Sequence, residues 1–245
     1  RPVLEDLFGS RGAKVGWNCP APNERILTED LRWIPAKELK VGDILVGFDE
    51  NVPDGRRLRR FKKSIVTFTE PGKLKMYEVV FSDGSSVKVT ANHPWLIPYK
   101  KGTKWVNTED LIIGSPIKRL LDTWEENTSK EAGYLAGFFD GEGHLSVTNG
   151  SMRLGAAQNN GPTLNYVIDL LNKYNFTSNR SNPRRAKDSG CTKLTIPNGI
   201  NGAARFLGSI RPRRLLSKFS PENLGAVWGL NTEPLTITAV KWLGI

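Results

Sequence analysis

Few side chains in this 245-residue chain are suited to covalent or proton chemistry, since it holds only two cysteines and two histidines. Cys19 and Cys191 stand far apart with no metal-ligand spacing around either, which supports neither a disulfide framework nor a zinc site. A cysteine that reacts here would react as a thiol, and attack on a carbonyl then needs thiolate character and a proton for the departing group. His93 closes the run Thr90-Ala91-Asn92-His93. With an ordinary pKa of about 6.5, an imidazole suits proton transfer near neutrality. The third feature is acidic: Glu142 lies between Gly141 and Gly143 at the end of "GYLAGFFDGEG", residues 133–143. A carboxylate at the end of a helix sits at the negative end of its dipole, where a cation is favoured.

Two different kinds of element must position these groups. From Arg25 to about Lys118 the chain reads as short strands such as "KMYEVVF" and "SVKVTANH", separated by Gly, Pro and Asp-Gly signals, with a hairpin turn at Asp83-Gly84. The period changes at "TSKEAGYLAGFF", where Thr128 or Ser129 can cap a helix that places Leu135, Phe138 and Phe139 on one face. Strands "HLSVTN" and "MRLGAAQ" follow, then a helix at "PTLNYVIDLLNKYNF", then strands around "TSNRSNPRR" and "CTKLTIP". Helices are expected at "GAARFLGSI" and "PENLGAVWGL", and "PLTITAVKWLGI" is strand-like again. The fold class is therefore mixed: an all-β domain plus an α/β domain of order αββαββα. Residues 1–18 read as a flanking tail, whose "GSRGAKVG" lacks the Gly-Lys-Ser/Thr ending of a phosphate loop.

The formal charge of +10 is unevenly spread, with fourteen Lys/Arg against seven Asp/Glu from Ser129 onward and twenty-one against eighteen before it. The basic surplus thus belongs to the α/β half, which favours a polyanionic partner there. No run has the length of a membrane-spanning helix and the amino terminus lacks a secretory pattern. An intracellular protein without membrane contact is expected.

The ordered stretches "CPAPNERILT", "RWIPAKELKVGDILVG", "DGSSVKVTANHPWLI" and "KWVNTEDLIIGSPI" resemble the N-terminal splicing region of an intein Hint domain, over residues 19–120. The resemblance implies that the Cys19 thiol attacks the Asn18 carbonyl, turning the amide into a thioester. His93 would deliver a proton to the leaving nitrogen, and the Thr90 hydroxyl would hold the strained amide. A complete intein ends in a His-Asn pair before a nucleophilic residue, and nothing after Trp242 supplies one. The resemblance implies that residues 232–245 resume the Hint fold. The terminal strands are then truncated, disordered or supplied by a separate C-terminal intein fragment.

Leu135–Gly143 resembles the nonapeptide of LAGLIDADG homing endonucleases, and the resemblance extends over residues 129–231, behind a linker at 121–128. It implies a site-specific double-strand DNA cutter that uses magnesium, with Glu142 as metal ligand and Asp140 as a local cap. It also implies that Gln158 orients water and that Lys218 stabilises the cleaved phosphate. Arg153, Arg180, Arg184, Arg185 and Lys193 would form a basic sheet face against double-stranded DNA. Gly133, Ala136 and Gly137 make a small-residue stripe on which two helices can meet. With one nonapeptide per chain, since "NLGAVWGL" lacks the acid, a homodimer is implied. Two other readings stand beside this one: a degenerate DNA- or RNA-binding, maturase-like insert, and a hedgehog-type autoprocessing domain.

Overall fold

The computed structural model describes residues 20–52, 54, 58–99, 102–148, 151–181, 190–227 and 234–245. The strands of the first half are β1 (Arg25–Leu27), β2 (Trp33–Pro35), β3 (Ile44–Phe48), β4 (Phe61–Ile65), β5 (Met76–Phe81), β6 (Ser86–Thr90), β7 (Pro94–Tyr99), β8 (Gly102–Asn107) and β9 (Pro116–Lys118). Then come α1 (Lys130–Glu142), β10 (Gly143–Thr148), β11 (Ser151–Asn159), α2 (Pro162–Lys173), β12 (Asn179–Ser181), β13 (Cys191–Ile196), α3 (Gly199–Ile210), α4 (Arg213–Leu216) and β14 (Pro234–Gly244). These elements divide into two compact units. Among the described residues no helix is long and apolar enough to cross a membrane.

The first unit is strand-rich and discontinuous in sequence, joining residues up to Thr28, Trp33–Leu121 and the final strand. Its largest sheet has the order β6-β5-β14-β9, so the last described strand enters between two strands that precede α1 in the sequence. Ile237 pairs with Phe81, Val240 with Val79, and Leu235 with Ile117. Val79, Phe81, Val89, Ile117, Leu235 and Ile237 form the buried cluster this makes. Each such side chain contributes about 1.5–3 kcal/mol by leaving water, which draws β14 back into the sheet. The β5–β6 turn is the expected one: Gly84 has φ +82° and its N–H donates to the Phe81 carbonyl at 3.0 Å. Asp83 accepts from the Ser85 hydroxyl at 2.6 Å and the Ser85 N–H at 3.0 Å. These bonds, with Arg119 at 2.8 Å, hold the Asp83 carboxyl down at about 2.

The second unit takes Asp122–Leu230 together with the short turn Glu29–Arg32. Its sheet is antiparallel with the order β10-β11-β13-β12. Met152, Leu154, Ala156, Leu194 and Ile196 are buried on the side covered by helices, where the Phe139, Phe206 and Phe176 rings meet at centroid distances of 4.5 and 5.1 Å. Ser129, of the two candidate caps, starts α1: its hydroxyl accepts from the Ala132 N–H at 3.2 Å. Leu31 is fully buried in this unit with φ +64°. Its carbonyl accepts from the Trp124 indole at 3.0 Å, while Arg211 pairs with Asp30 at 2.7 Å.

The expected order αββαββα is present with one addition, the short helix α4. Of "PENLGAVWGL", Pro221–Leu224 forms a 3-10 turn ended by Gly225 at φ 74°, and residues 228–230 lie outside the described ones. Phe138, expected in the core with Leu135 and Phe139, is only half-buried. Helix α1 runs through Gly141 to Glu142, and Gly143 is the extended C-cap.

Candidate functional site

On α1, Ala132, Leu135 and Phe139 are fully buried, and this sets which face remains outside. Gly133, Gly137 and Gly141 are exposed at four-residue spacing, and a Cβ added at any of them would meet nothing within 4 Å. The open row is thus Gly133-Gly137-Gly141 rather than Gly133-Ala136-Gly137, because burying Leu135 and Phe139 turns Ala136 to the half-buried flank. Three exposed glycines weaken an isolated helix by about 1 kcal/mol each relative to alanine. In return they leave a face that another backbone can approach closely.

Glu142 ends this helix and is exposed. Gly143 pairs with Ala156, which brings Glu142 beside Ala157 and Gln158 at the end of β11. The junction has no spare room, since a Cβ on Gly143 would run into the Phe139 carbonyl and stand 3.0 Å from Leu215 Cδ1. Asp140, expected as a local cap, instead caps the distant helix α4. Its carboxylate accepts the backbone N–H groups of Arg213, Arg214 and Leu215 at 2.8, 2.9 and 3.4 Å. Lys218 is exposed, two residues beyond α4. Gln158 is half-buried and its side-chain oxygen accepts from the Asn159 N–H at 2.8 Å.

The sheet register sorts the basic residues. Ser146 pairs with Arg153, Ala157 with Lys193, and Lys193 with Ser181, so Arg153 and Lys193 share the exposed side of the sheet. Arg180 differs from the expectation: it lies opposite the buried Leu194, so strand alternation assigns it to the helix-bearing side, at the edge strand. Arg184 and Arg185 lie outside the described residues. Sequence reasoning missed His144, which sits opposite Gly155 on the exposed side. A Cβ on Gly155 would stand 2.9 Å from the His144 ring and 2.5 Å from the Leu194 carbonyl, so the imidazole lies across a bare stretch of backbone. Burial first, and the nearby Lys193 second, push its pKa below the ordinary value. The glycine in "RLGAAQ" was the one signal in the sequence, an interruption inside a strand.

In the strand-rich unit Thr90 ends β6 and is 1% exposed. The His93 N–H donates to the Thr90 carbonyl at 3.1 Å, closing a turn over the four residues. The His93 carbonyl accepts from the Thr108 N–H at 3.0 Å and from its hydroxyl at 3.2 Å, and Trp95 packs edge-on against the imidazole at 5.5 Å. Desolvation pushes the His93 pKa down to about 4. The ring is thus uncharged at neutral pH, unlike the free side chain assumed from sequence, and moves a proton only by taking one up and passing it on. Cys19 lies outside the described residues. Its neighbour Pro20 forms a β-bridge with Val89, one residue before Thr90. A cavity of about 680 Å³ opens here, lined by Pro20, Thr90, Lys88, Met76, Phe68 and Leu243 among others.

Residues 129–211 match the family model described as a LAGLIDADG-like domain. This segment carries the α1 junction, the four-stranded sheet and α3. A solved structure described as "Crystal structure of Msm DnaB1 intein splicing domain bound with zinc" is similar to the chain at 26% identity and a TM-score of 0.26. The likeness covers 40% of this chain and 66% of that one, just under two thirds of it. No curated protein matches the chain.

Proposed function

We propose that the chain is an intein carrying a homing endonuclease, with Cys19 as the splicing nucleophile and Glu142 as the acid of a magnesium-dependent DNA cutter. The observation that carries the nuclease half is the LAGLIDADG-like segment, whose acid stands in open solvent at the end of a bare glycine helix face. Residues 129–245 hold the basic surplus, and Arg153 and Lys193 offer it on the exposed side of the sheet, where phosphate contacts position a duplex. A second copy meeting the first along Gly133, Gly137 and Gly141 brings two Glu142 carboxylates together, and a near-palindromic site follows from the two-fold axis.

The donor set fits a hard cation. Among the described residues no three His, Cys, Asp or Glu side chains cluster for a metal. Magnesium needs only one or two carboxylates when phosphate and water oxygens complete its shell. When bound it supplies charge neutralisation at the scissile phosphate. The chain's own residues do the rest. In this reading Gln158 holds a water by its amide, and the Lys218 ammonium balances charge on the cleaved phosphate.

For the splicing half, support comes from the ordered motifs and from β14, which completes a sheet after the second unit has intervened. The Cys19 sulfur attacks the Asn18 carbonyl carbon, the bond to the Cys19 nitrogen breaks, and the thiol proton passes through neutral His93 to that nitrogen.

Two experiments test these halves separately. With magnesium and a plasmid library of randomised targets, the wild type should make double-strand cuts that Glu142→Gln makes about a thousandfold more slowly, equivalent to ~4 kcal/mol, while DNA affinity stays the same. A wild type that binds but never cuts would leave the degenerate-binder reading. An external thiol should release residues 1–18 from the wild type and not from Cys19→Ala. Equal release from both would remove Cys19 from its role, and transfer of the acyl group to a small nucleophile instead would favour the hedgehog-type reading.

A further inference from the structure

Nothing in the sequence singles out Arg214, yet its side chain is committed to a specific piece of backbone. Its guanidinium donates to the Phe139 carbonyl at 3.2 Å, to the Gly143 carbonyl at 2.7 Å and to the Asp140 carbonyl. Those three groups bracket Glu142: two lie in the last turn of α1 and one in the residue that follows the acid. The Gly143 N–H itself donates back to the Phe139 carbonyl, so the helix end and the strand start are tied at one point. The clamp is reciprocal, because Asp140 accepts the N–H of Arg214 and of both its neighbours. Leu215, fully buried, packs against the same junction.

The chemistry of the clamp is particular to arginine. A planar guanidinium presents five donors in a fixed fork and can span several carbonyls, whereas an ammonium is a point charge on a flexible stem. The last carbonyls of a helix have no partner inside it and carry the negative end of the dipole. A fixed cation on them satisfies the carbonyls and offsets a potential that would otherwise oppose a carboxylate at this place.

We propose that Arg214 is a positioning residue of the nuclease: it locks the backbone on both sides of Glu142 and so sets the metal affinity of that carboxylate without touching metal or DNA. The inference rests on the reading of Glu142 as the metal-binding acid. Groups that hold a ligand in place typically change metal affinity by about 10- to 100-fold when removed.

The test titrates Mn2+ alone into wild type, Glu142→Gln, Arg214→Ala and Arg214→Lys, following bound metal by electron paramagnetic resonance, with hydrogen exchange of the Gly143 amide measured in parallel. Arg214→Ala and Arg214→Lys should each bind Mn2+ roughly tenfold more weakly and exchange the Gly143 amide roughly tenfold faster. Arg213→Ala, which removes the same charge one residue away, should do neither. Arg214→Lys guards against a merely misfolded alanine variant, because it keeps the charge and most of the side chain. Wild-type Mn2+ affinity and wild-type exchange in both Arg214 variants would overturn the proposal. Glu142→Gln binding Mn2+ as well as wild type, or a wild type that binds none, would instead remove the reading of Glu142, and the Gly143 exchange rates would still decide whether Arg214 fixes the junction.

Discussion

The Thr90–His93 turn and the Glu142 corner place their functional groups in opposite surroundings. His93 sits in a closed turn, its carbonyl held by Thr108, its ring against Trp95, and its pKa pushed down to about 4 by loss of water. Glu142 is exposed at a helix end, with carbonyls on either side gripped by Arg214. Enclosure tunes a single group by desolvation. An open acid on a rigid junction keeps its ordinary solvation and is built to be completed from outside, by a cation, a duplex and a second copy. Rigidity and burial are thus separable: one site is fixed within a closed, largely desolvated turn, the other because its backbone is clamped.

The largest effect that would break this contrast is in the pH dependence of stability. The folded-state pKa of His93 is about 4 against the ordinary 6.5, so protonation favours the unfolded chain. The contribution is fully present above about pH 6.5, is lost as pH falls toward 4, and amounts to at most ~3 kcal/mol. Urea midpoints between pH 7 and pH 4.5 should fall more for wild type than for His93→Gln; parallel curves would mean that His93 is not enclosed. Next in size is Gly155→Ala, whose Cβ would press on the Leu194 carbonyl and the His144 ring. It should cost about 1–3 kcal/mol in thermal unfolding of the second unit, and a neutral result would show that His144 does not lie across the sheet. Gly137→Leu should weaken self-association about tenfold, ~1.4 kcal/mol, in sedimentation equilibrium, and unchanged association would remove the open glycine row as the contact. Smallest is Asp83→Asn: the side chain is exposed and its bonds to Ser85 and Arg119 are screened, so the loss should stay below about 1 kcal/mol by denaturant titration.

Much of the fold was legible because it rests on periodicity. The start of α1 at Ser129, the strands β10 and β11, the β5–β6 hairpin and the strand character of β14 follow from spacing and turn residues, while the return of β14 to the first unit follows from the family resemblance. The failures are equally physical. Helix α4 is four residues long, too short for any period, and it forms because Asp140, some seventy residues earlier, caps it. Arg180 sits on the other side of its sheet from Arg153 because side-chain direction depends on register, which composition does not encode. The residue types at Glu142 and His93 could be read from sequence, whereas Arg214 and the lowered pKa of His93 depend on contacts between distant segments.

A crystal structure of the protein with duplex DNA and Mn2+, read by anomalous scattering, decides whether Glu142 is the metal-binding acid. Mn2+ peaks are expected on or beside a two-fold axis, about 2.0–2.4 Å from Glu142 carboxylate oxygens of two copies, with the α1 glycine rows facing each other and a phosphate in the same shell. A Glu142 carboxylate in bulk solvent, with no peak and no second copy beside it, would remove Glu142 from metal binding and the glycine row from the dimer contact.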